Sequence, residues 1–337
     1  MGTLEVFVGL DYHQSGVQVC ILNRQGEQLA NRLCANDSVA IGQVVQQFSA
    51  KVQAAIEACC GAADLAEELM QQWGWSVDLA HPGFVSRMKQ NPDKTDFSDA
   101  RLLADLERVG YLPRVWLAPE EVRELRRLVR YRQQLAQERR NLKLRLGAML
   151  REQRVPKPNA TPWTKKWLRW LQSEAPLSAE SRWIVTQQLR RLQQVEADIV
   201  TVEERLEQQT AQDDIVQALR REKGVGLVTA VTLRAEIGRF DRFRSGKQLA
   251  RFCGLSPRNA SSGERQADAG LIKAGNPQLR GVLIELAHRL MRYSPRWREL
   301  ATTLRGKGKA GSVVAAAVAN RWVRALHHQM QPAALAA

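Results

Sequence analysis

Four carboxylates in the first hundred residues have the spacing of a metal site. Asp11 closes the apolar run Val6-Phe7-Val8-Gly9-Leu10, Glu57 closes Val52-Gln53-Ala54-Ala55-Ile56, and Asp96 and Asp99 stand three apart in Lys94-Thr95-Asp96-Phe97-Ser98-Asp99-Ala100. Acids that terminate buried strands cost folding free energy unless positive charge, usually a divalent cation, sits among them. If a helix begins by Asp96, both of its acids project from one side of the first turn, where the positive end of the helix dipole keeps them ionised. Alone, such a pair is an ordinary helix start; with Asp11 and Glu57, two strand ends and one helix start can converge on a point. The rest of the chain is basic, with a formal net charge of +15. Carboxylates clustered in a basic protein point to two-metal phosphoryl transfer on a polyanion.

A second constellation lies far downstream, in Gly254-Leu255-Ser256-Pro257-Arg258-Asn259-Ala260-Ser261-Ser262-Gly263-Glu264-Arg265, followed by Gly270-Leu271-Ile272-Lys273-Ala274-Gly275-Asn276. A hydroxyl in a basic loop can be held against a phosphate, and can attack it, while neighbouring Arg and Lys neutralise the developing charge. Spacing alone does not separate Ser261 from Ser262, nor either one from an ordinary Ser-Gly loop.

The elements that must position these groups follow from periodicity. Residues 4–11, 17–22 and 27–34 alternate as three short strands joined by polar, Gly-containing turns, which predicts an antiparallel meander. A helix over 38–49, a strand over 52–57, a helix over 62–73 and a strand over 76–80 follow, then a loop at His81-Pro82 and a helix from 98 to 109 started by Ser98. Strands alternating with helices after a meander make an α/β layer with a mixed sheet, the order of an RNase H-like domain. After Pro119 the pattern becomes helical: Val122, Leu125, Val129, Leu135, Leu142, Leu146 and Met149 form one stripe, and Leu189, Leu192, Val195, Ile199, Val202 and Leu206 form another with coiled-coil spacing. The connector places Trp163, Trp167 and Trp170 on one helical face, fit either to dock into this arm or to stack on bases, with docking favoured. Near residue 213 a further domain begins, in which Lys223-Gly224-Val225-Gly226 leads into an apolar helix, as in a helix-hairpin-helix element that offers backbone N–H groups to a phosphate.

Charge divides the chain further. Residues 1–110 carry a net −6, residues 121–170 a net +11 and residues 251–309 a net +8. Chemistry is therefore expected in the N-terminal part and polyanion binding in the middle and C-terminal parts. The five cysteines form no C-x-x-C pair, so neither a disulfide framework nor a zinc site is indicated, which fits a reducing, cytoplasmic chain. No run approaches the ~18 apolar residues of a membrane span, so no membrane partner is expected; the Ala-rich tract 313–319 is a packed helix.

Val8-Gly9-Leu10-Asp11, Ile56-Glu57-Ala58, Thr95-Asp96-Phe97-Ser98-Asp99, Gly224-Val225-Gly226, Ala235-Glu236-Ile237-Gly238, Gly254-Leu255-Ser256-Pro257-Arg258, Ser262-Gly263 and Lys273-Ala274-Gly275-Asn276 together resemble, in order and over nearly the whole chain, the DEDD-type insertion-sequence transposases, the bridge-RNA-guided recombinases. The resemblance implies an α/β plus α architecture: a RuvC-like domain over 1–115, a coiled-coil arm over 116–212, a mostly helical transposase domain over 213–330 and a tail over 331–337. It also implies that Asp11, Glu57, Asp96 and Asp99 bind Mg2+ or Mn2+, and that Ser262, directly before Gly263, is the nucleophile that forms a 5′-phosphoserine link. Lys94, Arg258, Arg265 and Lys273 are then the expected nucleic-acid contacts. The implied partners are donor and target DNA, a structured guide RNA encoded by the element, and further copies of the chain in a dimer or tetramer, with one subunit's tetrad serving another's serine. Two rival readings are a RuvC-like junction nuclease that needs no serine and a non-catalytic nucleic-acid-binding protein with structural carboxylates.

Overall fold

The computed structural model describes residues 5–89, 95–259, 268–272 and 275–331. It divides into two compact units, Met1–Pro119 and Glu120–Ala337.

In the first unit, β1 (Glu5–His13), β2 (Gly16–Leu22) and β3 (Gln28–Cys34) form the expected antiparallel meander. After α1 (Ser38–Gln46) the chain returns as β4 (Lys51–Glu57), parallel to β1, and after α2 (Ala62–Trp73) as β5 (Ser76–Ala80), parallel to β4. The short helix α3 (Pro82–Met88), then α4 (Asp96–Arg108) and the two-residue antiparallel strand β6 (Arg114–Val115) complete a mixed sheet of order β3-β2-β1-β4-β5-β6.

Strand alternation decides which layer each side chain joins. Val6, Val8 and Leu10, with Val17, Val19, Ile21, Ala54 and Ile56, bury one sheet face against Ile41 and Val45 of α1 and Leu65 and Leu69 of α2. On the other face Phe7, Cys20 and Leu22 meet Ala100 and Ala104 of α4, while Ala55 and Ala80 meet Leu103.

Three local expectations are corrected, and one strand was not foreseen. Pro82 does not mark a loop but opens α3, because a first helical residue needs no N–H donor, and Nδ1 of His81 accepts from the Gly83 N–H at 3.1 Å as the cap. The cap of α4 is Thr95 rather than Ser98: Oγ1 of Thr95 accepts from the Ser98 N–H at 3.2 Å, and the helix starts at Asp96. α1 stops at Gln46, three residues short of the expected end. β6, at two residues, is too short to leave a period in the sequence.

The second unit holds α5 (Glu120–Glu152), α6 (Lys165–Ser173), α7 (Ala179–Gln209), α8 (Asp214–Arg221), α9 (Leu227–Ile237), α10 (Gly246–Phe252), the hairpin β7 (Pro257–Asn259) and β8 (Asp268–Leu271), and α11 (Pro277–Tyr293), α12 (Pro295–Gly306) and α13 (Gly311–Gln329). α5 and α7 run antiparallel, since the pairs Arg132–Glu203, Lys143–Glu196 and Gln153–Ser181 advance along one helix as they recede along the other. Their stripes, Leu135, Leu142 and Leu146 with Leu189, Leu192, Val195 and Ile199, are buried in one core within the chain. Trp163 precedes α6 at φ +68° instead of sharing its face, because Thr164 is the helix cap. The three rings still gather: Trp167 is buried in the core, with Trp163 at 4.7 Å and Trp170 at 6.1 Å between ring centroids. The 313–319 tract lies inside α13, with Val314, Ala315, Val318 and Ala319 buried.

Candidate active site

Strand register brings the first two carboxylates together. β1 and β4 are parallel, with Leu10 opposite Ile56, so Asp11 and Glu57 are the next positions at adjacent strand ends. By alternation both belong to the face that carries Phe7 and Ala55, which is the face covered by α4. α4 in turn begins with Asp96 and Asp99, the latter 8% exposed. The approach of α4 is set at Gly9: a Cβ there would lie 1.8 Å from the carbonyl oxygen of Ala100 and 2.6 Å from the nitrogen of Ala104. Helix backbone rests directly on strand backbone, two residues before Asp11.

Among the described residues, Asp11, His13 and Asp96 offer donor atoms that all lie within 4.8 Å of one another. Nε2 of His13 sits 3.2 Å from Oδ2 of Asp11 and 3.4 Å from Oδ1 of Asp96. Burial pushes the Asp11 carboxyl above its ordinary range, His13 pulls it down, and the charges of Asp96 and Asp99 push it up again. Hard carboxylate oxygens that repel one another around an imidazole nitrogen fit a divalent cation, which would remove the repulsion. Asp99 is turned onto Lys89, whose Nζ donates to Oδ2 at 2.6 Å. Glu57 and Asp99 therefore stand beside the three-residue group rather than in it. Electrostatics link Glu57 to the same corner: after burial, the charge of Glu57 and then, more weakly, that of Asp11 raise the pKa of the Cys59 thiol.

Two participants were not foreseen. His13 was assigned to a turn, yet it follows Asp11 by two on a strand, and that spacing alone places both side chains on one face. Lys89 comes from a separate helix end ten residues before Asp99, a relation without periodicity.

Ser262, Ser261, Arg265, Lys94 and Lys273 lie outside the described residues, whereas Arg258 is exposed on β7. The antiparallel strands β7 and β8 flank the serine segment in the chain, and their base is tied down. The Ile272 N–H donates to the Ser256 carbonyl at 3.0 Å, and an Arg280 guanidinium donates to the Ile272 carbonyl at 3.2 Å. Gly275 abuts Gly254 so closely that a Cβ would fall 2.3 Å from the Gly254 Cα. Next to it Asn276 caps α11 with Oδ1 while its amide donates to the buried Glu236 at 2.8 Å, a carboxylate also gripped by Arg130.

At the Gly-x-Gly turn, Gly224 has φ +87°, and Gly226 begins α9 with no side-chain cap. No helix among the described residues is long and apolar enough to cross a membrane.

Known proteins resemble the chain over most of its length. Residues 8–154 match a transposase model of the DEDD type, and residues 216–302 match the model described as the transposase IS116/IS110/IS902 family. The chain is 31% identical over 299 residues to y4qE of Sinorhizobium fredii, a protein that carries a transposase name; the match covers 87% of this chain and 73% of that one. It is 26% identical over 289 residues to the transposase for insertion sequence element IS1111A of Coxiella burnetii, covering 85% and 78%. With the transposase for insertion sequence element IS1328 of Yersinia enterocolitica it shares 27% over 273 residues, covering 80% and 81%.

Proposed function

Because the chain belongs to the IS116/IS110/IS902 family of insertion-sequence transposases, we propose that it cuts and rejoins DNA strands through a carboxylate-held metal and a serine nucleophile, under RNA guidance. The observation that carries the metal half is the convergence of Asp11, Asp96 and His13 at the ends of β1 and α4, with Glu57 at the neighbouring strand end and Asp99 one turn along α4. Asp11, Asp96 and His13 would hold the cation as they stand, and Glu57 at the neighbouring strand end and Asp99, once it leaves Lys89, would complete the tetrad. Mg2+ or Mn2+ bound there would supply charge stabilisation to the scissile phosphate and to the leaving 3′-oxygen.

The serine half rests on the sequence resemblance. Oγ of Ser262 attacks phosphorus, an Oγ–P bond forms, the P–O3′ bond breaks, and the hydroxyl proton ends on the released 3′-oxygen. The bond energy is conserved as a 5′-phosphoserine, and a 3′-hydroxyl from another strand reverses the step. Basic surfaces of the second unit hold RNA and DNA by their backbones, leaving sequence choice to base pairing.

The test is a pair of variants assayed for strand cleavage, strand transfer and a denaturation-resistant protein–DNA adduct. Ser262→Ala is expected to lose all three, and Asp11→Asn is expected to lose cleavage while retaining nucleic-acid binding. Full cleavage without an adduct by Ser262→Ala would instead identify a hydrolytic nuclease. Undiminished cleavage by Asp11→Asn would remove the metal assignment. Copurified RNA with loops complementary to the DNA flanks is the expected sign of guidance.

A further inference from the structure

Between α12 and α13 lies an open cleft of about 570 Å³ lined by Arg296, Trp297 and Leu300 from α12 and by Arg321, Arg324 and His328 from α13. Arg321, Arg324 and His328 follow one another at three and four residues, so they stand on one helix face. All three are exposed, as is Arg296. Among the described residues none of the three arginines has a carboxylate within ion-pair distance, and residues 295–331 contain seven Lys and Arg against one acid, Glu299. Like charges stacked along a helix face are destabilising, so the arrangement calls for an anion from outside. The floor differs in kind: Trp297 is 7% exposed, Leu300 is half-buried beside it, and the Arg296 guanidinium lies 4.7 Å from the centre of the Trp297 ring, its N–H edges left free.

Cations around an aromatic and aliphatic floor suit a phosphate and a base at once, the pairing by which single strands are held. The volume is that of a small-ligand pocket, roughly 300–1,000 Å³, and accepts a nucleotide but not a duplex. Arg296, Trp297 and Leu300 lie within the segment matched by the family model, and Arg321, Arg324 and His328 lie beyond its end at residue 302. We propose that the cleft binds an unpaired nucleic-acid strand, with phosphates held by Arg296, Arg321 and Arg324 and a base against Trp297 and Leu300. This rests on the reading above that the chain works on nucleic acid. The shared chemistry is a single-stranded phosphodiester, whether of RNA or of displaced DNA.

The experiment measures binding of labelled single-stranded RNA, single-stranded DNA and duplex DNA of one length to the full chain, in chelator, across a fourfold range of salt. The triple variant R296Q/R321Q/R324Q alters only exposed side chains, and its fold is checked by circular dichroism. Each lost contact to a single strand flattens the log–log salt slope by about 0.7, so the variant should be shallower by about 2. Over the fourfold range the wild type then loses roughly twenty-fold more affinity than the variant. A flattened slope with RNA, with single-stranded DNA or with both supports the proposal and names the strand. An unchanged slope with binding retained overturns the pocket alone, and equal flattening with duplex overturns its preference for unpaired strands. Absence of nucleic-acid binding by the wild type overturns the functional reading and this inference together.

Discussion

At the scale of single residues, Gly9 governs the site more than its lack of a side chain suggests. A methyl group there would fall 1.8 Å from the Ala100 carbonyl, and the atom it meets is helix backbone that no rotamer change can move aside. Gly9→Ala is therefore expected to cost about 3 kcal/mol or more in urea unfolding, the upper range for overpacked cores, and to lower strand cleavage beyond the loss of folded protein. Stability unchanged from wild type would show that α4 does not rest on the strand. The glycine itself was visible in the sequence as part of the run ending at Asp11; what it touches was not, because the partner lies ninety residues on. Lys89 on Asp99 was hidden for another reason, since ten residues spanning a break between two helices carry no periodicity. His13 was within reach of the alternation rule, but its place beside a Gly-containing turn hid it.

At the scale of elements, periodicity reported what was long and amphipathic and missed what was short. The meander, the two parallel returns and both long helices of the second unit are readable because each repeats its apolar spacing several times. α3, β6 and the β7–β8 hairpin are too brief to repeat anything, and local capping or pairing decides them. The parallel pairing of β1 with β4, which aligns Asp11 with Glu57, has its own side-chain tie: Glu5 accepts from Lys51 and from Gln53, both at 2.9 Å. These hydrogen bonds, with the Lys51 charge, hold the Glu5 carboxyl below its ordinary range. A carboxylate depressed in the folded state contributes stability above its unfolded pKa and loses it as pH falls through the folded value. Glu5→Gln should thus be less stable than wild type at pH 7, with the deficit shrinking as pH falls below about 4.5 and vanishing once Glu5 is protonated in both states. A deficit constant with pH in urea titrations would assign the effect to packing instead.

At the scale of the whole molecule, charge and chemistry are segregated along the chain: the N-terminal segment is net acidic and the basic surplus lies downstream. Metal removal should accordingly separate the two activities. Chelation is expected to abolish cleavage while nucleic-acid binding persists, and Mg2+ or Mn2+ should restore cleavage; binding lost together with cleavage would show that the metal also anchors the polyanion. The sheet of the first unit extends this separation inward. Val6, Val8 and Leu10 look toward α1 and α2, and Gly9, Asp11 and His13 belong to the opposite face. The spacing of the acids is thus gauged by contact between two backbones on one face, while the other face supplies side-chain bulk. A library that varies the α1–α2 side should tune how firmly the domain holds together without resetting the distances of its chemistry, leaving the two properties open to selection one at a time.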